Sequence, residues 1–264
     1  MIQYLQQLHP VTATLLCTLF TWGVTAAGAA VVLFFKQINK WIMDLFLGFG
    51  AGVMIAASFW SLLAPAIELS QQLGRSGWAA PAAGFSAGGL FIVLADRIMD
   101  RCKKGQGEEK SSWKRCMLLV SAVTMHNIPE GMAIGVAFGG SALGVPGSTA
   151  VGAAILALGI GLQNFPEGAA VSLPLRREGY SRGKSFFLGQ ASGFVEPAAG
   201  LLGVVAAMWL RGIMPLFLSF AAGAMMAVVA GDLIPESANT NKNLAVIGVV
   251  LGFMVMMTLD VALG

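Results

Sequence analysis

Stretches of about 20 predominantly apolar residues recur along almost the whole chain, and they restrict the folds that it can adopt. A helix needs about 20 such residues to cross the hydrocarbon core of a bilayer. Only 11% of the residues are charged, against roughly 25% in a typical soluble domain. We therefore expect an all-α, polytopic membrane protein with a single transmembrane domain over residues 1–264. Eight transmembrane helices are predicted, at about residues 12–35, 43–67, 78–99, 116–139, 148–174, 184–209, 213–236 and 243–263.

The lysines and arginines fall almost entirely in alternate loops between these spans. Of the 16 basic residues, all but Arg75 and Arg211 lie in loops one, three, five and seven. Cytoplasmic loops are enriched in Lys and Arg, so the odd loops are predicted to be cytoplasmic, with a charged loop at about residues 100–115. Both termini are then predicted to lie outside the cytoplasm. This asymmetry explains the isoelectric point of about 8.9 without a nucleic-acid partner.

Three glutamates lie near the middles of predicted spans: Glu130 in span four, Glu167 in span five and Glu196 in span six. An ionised side chain at the bilayer centre costs at least about 2.5–3.5 kcal/mol. Because the basic residues are all assigned to loops, none is available to pair with these carboxylates. The compensation must come from protonation, from a bound cation, or from both in turn.

The neighbours of these glutamates favour a cation. His126 and Glu130 are four residues apart, so both project from one face of a helix, with Asn127 beside them. The pattern recurs 37 residues later, at Gln163, Asn164 and Glu167. Consecutive spans run in opposite directions, so the two motifs are expected to meet at similar depth. This inverted-repeat-like arrangement, with spans four and five at the centre, is typical of carriers.

The chemistry of the motifs narrows the choice of cation. Imidazole with carboxylate and amide oxygens suits zinc, iron, manganese, cadmium or cobalt. Pro129 and Pro166 each remove a helical hydrogen bond, which is tolerated in a membrane only against protein or a wet cavity. Gly131 and Gly168 are expected to let the two motif helices approach each other closely.

Several candidate residues have a structural alternative. Glu196 can be a protonated structural carboxyl, and Asn127 and Asn164 can join helices through side-chain hydrogen bonds. Met54 shares a helix face with Ser61 and can be ordinary core packing. The remaining acidic residues near the helix ends are either solvated charges or the lining of a metal pathway: Glu68 at the external end, and Asp96, Asp232 and Glu236 at the cytoplasmic end.

The two motifs, HNIPEG at residues 126–131 and QNFPEG at residues 163–168, resemble signatures in the fourth and fifth helices of the ZIP (Zrt/Irt-like) metal transporters. The chain looks most like the prokaryotic branch of that family, with glutamine at position 163. The resemblance covers nearly the whole chain, through residues 48–54, 174–179, 192–197 and 233–237.

The resemblance implies two adjacent metal positions that share bridging carboxylates. The first is formed by His126, Glu130, Gln163 and Glu167, with Met54 as a further candidate. The second uses Asn127, Asn164 and Glu196, with Glu130 and Glu167 as the bridges. Asparagine at position 164, where relatives have aspartate, makes this second position less negative. The resemblance also implies that spans one, four, five and six slide against the other four, and that Asp232 assists release.

These features together predict a transporter that imports a divalent transition metal, zinc above all, into the cytoplasm. The metal is cargo, and no catalytic cofactor is expected. The resemblance further implies a homodimer in the inner (plasma) membrane of a bacterium. An intramembrane metalloenzyme is a weaker alternative, because the HExxH zinc motif needs a second histidine. A proton-coupled carrier of organic solutes would leave the repeated motif without a shared purpose.

Overall fold

A computed structural model describes residues 7–35, 39–104, 112–209 and 211–263, and every regular element in these ranges is a helix. The all-α prediction is therefore confirmed. The long helices of the described chain are α1 (Pro10–Phe34), α2 (Lys40–Gln72), α3 (Ala79–Lys104), α4 (Ser112–Ala142), α5 (Ala150–Arg177), α6 (Arg182–Trp209), α7 (Met214–Ser237) and α8 (Lys242–Leu263).

Six helices of the described chain are long and apolar enough to cross a membrane. They are α1, α2, α3, α6, α7 and α8. Large apolar side chains such as Phe187, Leu202 and Val250 are exposed on their outer surfaces, as expected of helices that face lipid. Helices α4 and α5 have 31 and 28 residues, but they contain the polar motifs, which lower their mean hydropathy. The count of eight spans remains a prediction for these two helices.

The predicted loop at residues 100–115 is shorter than expected. Helix α3 continues to Lys104 and α4 begins at Ser112, so helix occupies both flanks of that segment. Lysine and arginine are good helix formers, and a helix can continue beyond the apolar stretch from which its span was predicted. The rest of the predicted loop lies outside the described residues.

Local residues set several of the helix ends. Asn39 and Thr149 cap α2 and α5, since their side-chain oxygens accept hydrogen bonds from Trp41 N at 3.0 Å and Gly152 N at 2.8 Å. Such caps satisfy backbone donors that have no partner within the helix. Helix α5 is followed by Gly179, whose φ of +96° suits glycine and stops the helix.

Three helices change their winding along their length. Helix α2 is π-helical at Ser58–Leu63 and α7 at Val229–Leu233, and α6 has a 3₁₀ turn at Ser192–Phe194. Each irregular segment lies just before a proline, and π segments are frequent at functional sites. In contrast, α4 and α5 continue through Pro129 and Pro166.

The most extensive helix contacts join α1 with α5, α4 with α6, α2 with α8, and α3 with α7. Glycines allow the α2–α8 pair to pack closely: a Cβ on Gly48 or Gly52 would collide with the backbone of Ala245 or Val249. Gly84 and Gly88 allow the α3–α7 pair to pack closely in the same way. Gly50 instead faces Gln163, and a Cβ on Gly89 would meet no close neighbour. Small residues at close contacts are the usual means of packing membrane helices.

Replacing Gly52 by alanine tests this packing. The new methyl group would overlap the carbonyl oxygen of Val249 and lie 2.6 Å from Phe253 N, and such overpacking costs about 1–3 kcal/mol. We expect a lower melting temperature for the purified protein in detergent. Gly23→Ala is the matched control, because nothing lies within 4 Å of its Cβ position and alanine favours helix over glycine. Equal melting temperatures for the two variants would contradict this account.

Candidate metal site

The two motifs are joined directly by a hydrogen bond between their side chains. Gln163 Nε2 on α5 donates to Glu130 Oε1 on α4 at 2.6 Å. Glu130 is fully buried and Gln163 is 1% exposed. The structure therefore brings the two predicted motifs side by side in the interior of the bundle.

Glu130, Glu167 and Glu196 lie close enough together for the charge on one to act on another. None is more than 7% exposed, and none forms an ion pair with lysine or arginine within the described chain. A buried charge without a partner is strongly unfavourable. The three carboxylates, which come from three different helices, therefore create a local demand for positive charge.

Several atoms of the motifs are buried without a hydrogen-bond partner in the described part of the chain. Such atoms ordinarily cost about 1–3 kcal/mol each, and five of them belong to the two six-residue motifs. Nitrogen and oxygen lone pairs without donors are what a metal ion requires. The atoms are His126 Nε2, Asn127 Oδ1, Glu130 Oε2, Gln163 Oε1 and Glu167 Oε2.

These side chains do not form a ready-made metal site. Within the described residues, no three His, Cys, Asp or Glu side chains are arranged so that they could hold a metal ion. Gln163 is also not oriented as a ligand here, because its Nε2 faces Glu130 while its Oε1 has no partner in the described chain. The oxygen and nitrogen of an amide exchange places by a half turn, so a rotation of Gln163 would turn a ligand oxygen toward the carboxylates.

His126 also faces two of the predicted pathway residues. Its Nε2 lies 3.4 Å from Asp232 Oδ2 on α7 and 4.0 Å from Asp96 Oδ1 on α3. The closer contact is not a hydrogen bond, and Nε2 has no hydrogen-bond partner in the described chain. The side chains of Asp96 and Asp232 are 38% and 41% exposed, respectively, so they connect the buried histidine with the surface of the described protein.

Glu236 is a third acidic side chain in this region, and it lies close to the second motif. It is near enough to Glu167 and Asp232 for their charges to interact. It also lines a cavity of about 240 Å³, together with Asp44 and Arg177, where α2 begins and α5 ends. Asp96, Asp232 and Glu236 are thus placed as residues that could line one pathway.

The residues predicted for a second metal position have other partners. Asn164 Nδ2 donates to Glu196 Oε1 at 2.9 Å, and the hydroxyl of Thr21 donates to Glu196 Oε2. Asn127 Nδ2 donates to the carbonyl of Ser192 at 2.9 Å. Thr21 was not predicted as a site residue. The sequence signal for it is that the buried threonines of α1 follow one helix face: Thr14, Thr18, Thr21 and Thr25.

The motif glycines act differently from the prediction. Rather than packing α4 against α5, a Cβ on Gly131 would collide with the backbone of Glu196 on α6, and one on Gly168 with Thr25 on α1. The prediction considered only the two motif helices, although each glycine lies on a face that packs against a third helix. The two glycines therefore set the distance from the motifs to α6 and α1.

Met54 is 1% exposed and lies one turn after Gly50, whose Cβ position is 3.0 Å from Gln163 Cβ. Residues four apart share a helix face, so Met54 is on the face of α2 that packs against α5. No described contact joins its sulfur to the motif residues, and its role as a ligand remains a prediction.

Ser61 lies at the opposite end of the bundle from Glu236. Its hydroxyl donates to Asp260 Oδ1 at 2.9 Å, and both residues line a cavity of about 190 Å³ near the connection between α4 and α5. The exposed Glu68 is close by, since its Oε2 would lie 3.4 Å from a Cβ on Gly147, which also lines the cavity. Asp260 had no predicted role, although a carboxylate within the last apolar span was a signal.

Comparison with known proteins identifies the family of this chain. The family model described as "ZIP Zinc transporter" matches residues 108–260, which include both motifs, Glu196 and Asp232. The chain belongs to the ZIP family. It is 42% identical to "Zinc transporter ZIP11" of Xenopus tropicalis, over 97% of this chain and 98% of that protein. It is 35% identical to "Zinc transporter GufA" of Myxococcus xanthus, over 96% and 99% of the two chains.

A third relative is "Zinc transporter ZIPB" of Bordetella bronchiseptica, 36% identical over 92% of this chain and 79% of that protein. All three relatives are named as transporters. Together with the family match, they confirm the predicted ZIP resemblance and the prediction of a carrier rather than an enzyme. The ZIP family and the apolar helices make this chain an integral membrane protein.

Because the unpartnered atoms of the two motifs are suited to bind zinc, we expect zinc to stabilise the protein. At a zinc concentration 100 times the dissociation constant, binding contributes about 2.7 kcal/mol, which corresponds to a rise of about 5–10 °C in melting temperature for a chain of this size. We expect Glu130→Gln to lose this rise, because it removes a ligand charge. Its melting temperature without zinc should equal or exceed that of the wild type, because glutamine has no charge that burial could make unfavourable.

Glu68→Gln is the control for this measurement, since Glu68 is exposed and lies away from the motifs. It should keep the full zinc-dependent rise. A rise that survives in Glu130→Gln would place the stabilising zinc elsewhere in the protein.

Proposed function

We propose that this chain imports zinc into the cytoplasm through a site formed by His126, Glu130, Gln163 and Glu167. The unpartnered, buried atoms on these four side chains of the two motifs support the proposal most directly. One imidazole, two carboxylates and an amide oxygen form a ligand set that zinc accepts. Iron, manganese, cadmium and cobalt accept similar ligands, so we include them as further substrates.

The charges of the site suit a divalent cation. Glu130 and Glu167, if ionised, contribute two negative charges to an interior where no lysine or arginine of the described chain reaches them. One divalent ion neutralises both. Because the apolar surroundings screen charge weakly, the affinity of the site depends strongly on both carboxylates being present.

We extend the proposal to the route of the metal across the membrane. All eight helices would span the bilayer with both termini outside, and α4 and α5 would run in opposite directions as an inverted pair. Metal would enter past Glu68, Ser61 and the neighbouring Asp260, which line one end of the bundle. It would leave into the cytoplasm along the acidic side chains at the other end, namely Asp96, Asp232 and Glu236.

Alternating access is supported by the grouping of the helix contacts. The most extensive contacts pair α1 with α5 and α4 with α6, whereas α2 pairs with α8 and α3 with α7. In the described chain, the contacts between the groups, such as α2 with α5 and α4 with α7, are less extensive than these four pairs. The first group, which carries Glu130, Glu167 and Glu196, would move as a unit against the second, which carries Met54 and the aspartates near His126. A homodimer in the inner membrane of a bacterium remains a prediction from the family.

Metal uptake into proteoliposomes tests the proposed function. Glu130→Ala and Glu167→Ala each remove a ligand, and loss even of groups that only orient ligands lowers metal affinity about 10–100-fold. We expect each variant to reduce zinc and cadmium uptake at least tenfold at low metal concentration. Glu178→Ala provides a control, because that exposed glutamate lies beyond the end of α5; it should transport like the wild type.

Uptake by both ligand variants at the wild-type rate would refute the site. A wild-type protein that carries no divalent metal would refute the function itself.

The proposed orientation is tested with single cysteines and a membrane-impermeant maleimide, after replacement of Cys17, Cys102 and Cys116 by serine. Ser76→Cys, in an exposed turn between α2 and α3, should react in intact cells. Ser181→Cys, in an exposed position before α6, should react only after the cells are permeabilised. The opposite labelling pattern would reverse the topology and, with it, the assignment of uptake and release sides.

A further inference from the structure

Both oxygens of the Glu196 carboxylate are engaged by donors of the protein. Oε1 accepts from Asn164 Nδ2 at 2.9 Å, and Oε2 accepts from the hydroxyl of Thr21. The hydroxyl of Thr25 is also within hydrogen-bonding reach of this carboxylate. Glu130 and Glu167 differ, because each has one buried oxygen with no donor in the described chain.

The hydroxyls of Thr21 and Thr25 also have backbone acceptors within reach, namely Thr18 O at 3.0 Å and Thr21 O at 3.2 Å. A hydroxyl carries a single hydrogen, so it can donate fully to only one of these acceptors at a time. Hydrogen bonds to an ionised acceptor are roughly twice as strong as those between neutral groups. An ionised Glu196 is therefore the favoured acceptor, and Thr21 Oγ1 is placed to donate to it.

The amide of Asn164 is equally engaged. Its two donors lie near Glu196 Oε1 and, at 3.4 Å, the carbonyl of Thr21, and its oxygen accepts from Gln163 Nε2 at 3.4 Å. The oxygen of Asn164 therefore has a hydrogen-bond donor, in contrast to Gln163 Oε1, which has no partner in the described chain. A second metal at this position would have to displace the hydrogen bonds of Asn164 and Glu196, and among the three residues predicted for this position alone only Asn127 has an oxygen without a partner in the described chain.

We propose that Thr21 and Thr25, with Asn164, act as positioning residues that hold Glu196 as a structural carboxylate, so that this chain binds one metal ion instead of two. This inference rests on the proposed transport site. It separates the three buried glutamates into two classes: Glu130 and Glu167 neutralise the cargo, while Glu196 is compensated by hydrogen bonds.

The same hydrogen bonds connect three helices. Thr21 and Thr25 lie on α1, Asn164 on α5 and Glu196 on α6, so a single carboxylate ties these helices together. Gly193 makes room for the arrangement, since a Cβ there would lie 3.0 Å from Thr25 Oγ1 and 3.1 Å from Glu196 Oε1. Asn127 adds α4 through its bond to Ser192. We call this set of hydrogen bonds around Glu196 the clamp. It joins the helices that are proposed to move as one unit.

The number of zinc and cadmium ions bound per chain, measured by equilibrium dialysis and elemental analysis at saturating metal, tests the inference. The wild type should bind one ion, and Glu196→Gln should still bind one, with a dissociation constant within about threefold of the wild-type value. Thr21→Val combined with Asn164→Asp removes donors and adds a carboxylate beside Glu196. This double variant should bind two ions per chain.

Thr14→Val is the matched control, because Thr14 lies on the same buried face of α1 and its hydroxyl has no partner in the described chain. It should bind one ion and transport normally. Thr21→Val alone should bind one ion with unchanged affinity but transport more slowly, because the clamp is weakened, and Thr21→Ser should restore the rate.

Different failures separate the two proposals. A wild type that binds two ions, the second of which is lost in Glu196→Gln, would overturn this inference and leave the transport function intact. Loss of the single ion in Glu196→Gln would also overturn it, because Glu196 would then be a ligand. A wild type that binds no metal would refute the proposed function itself.

Discussion

Buried carboxylates that have no basic partner in the described chain are the constraint on which the rest of the structure depends. Three glutamates from three helices lie within reach of each other's charge, in an interior where an ionised group costs several kcal/mol. The protein meets this cost in two ways. Donors from α1 and α5 surround Glu196, whereas Glu130 and Glu167 keep oxygens that only a cation or a proton can satisfy.

The packing of the helices follows from the same constraint. The groups that satisfy Glu196 must come close to it, and Gly131 and Gly168 permit this by removing side chains where α4 meets α6 and where α5 meets α1. The acidic side chains near His126 belong instead to α3 and α7. The proposed metal ligands and the proposed pathway are therefore carried by different groups of helices, so a relative movement of the groups would change the access of the proposed ligands to water.

The sequence predicted the helical class, most helix bounds and the motif residues, because membrane thickness and the price of buried charge leave few alternatives. It did not predict the π-helical segments that carry Ser61 and Asp232, since these depend on how each helix packs before its proline. Nor did it predict the partners of Gly131, Gly168 and Glu196. Those partners lie on helices distant in the chain, and a spacing rule applied to one helix cannot identify them.

Anomalous X-ray diffraction from crystals of the protein grown with zinc or cadmium tests the central claim most directly. The account predicts a peak between α4 and α5, with His126 nitrogen at about 2.0–2.1 Å from zinc and oxygens of Glu130, Gln163 and Glu167 in its coordination shell. A metal bound only at the cytoplasmic or external cavity, with none among these four side chains, would contradict it.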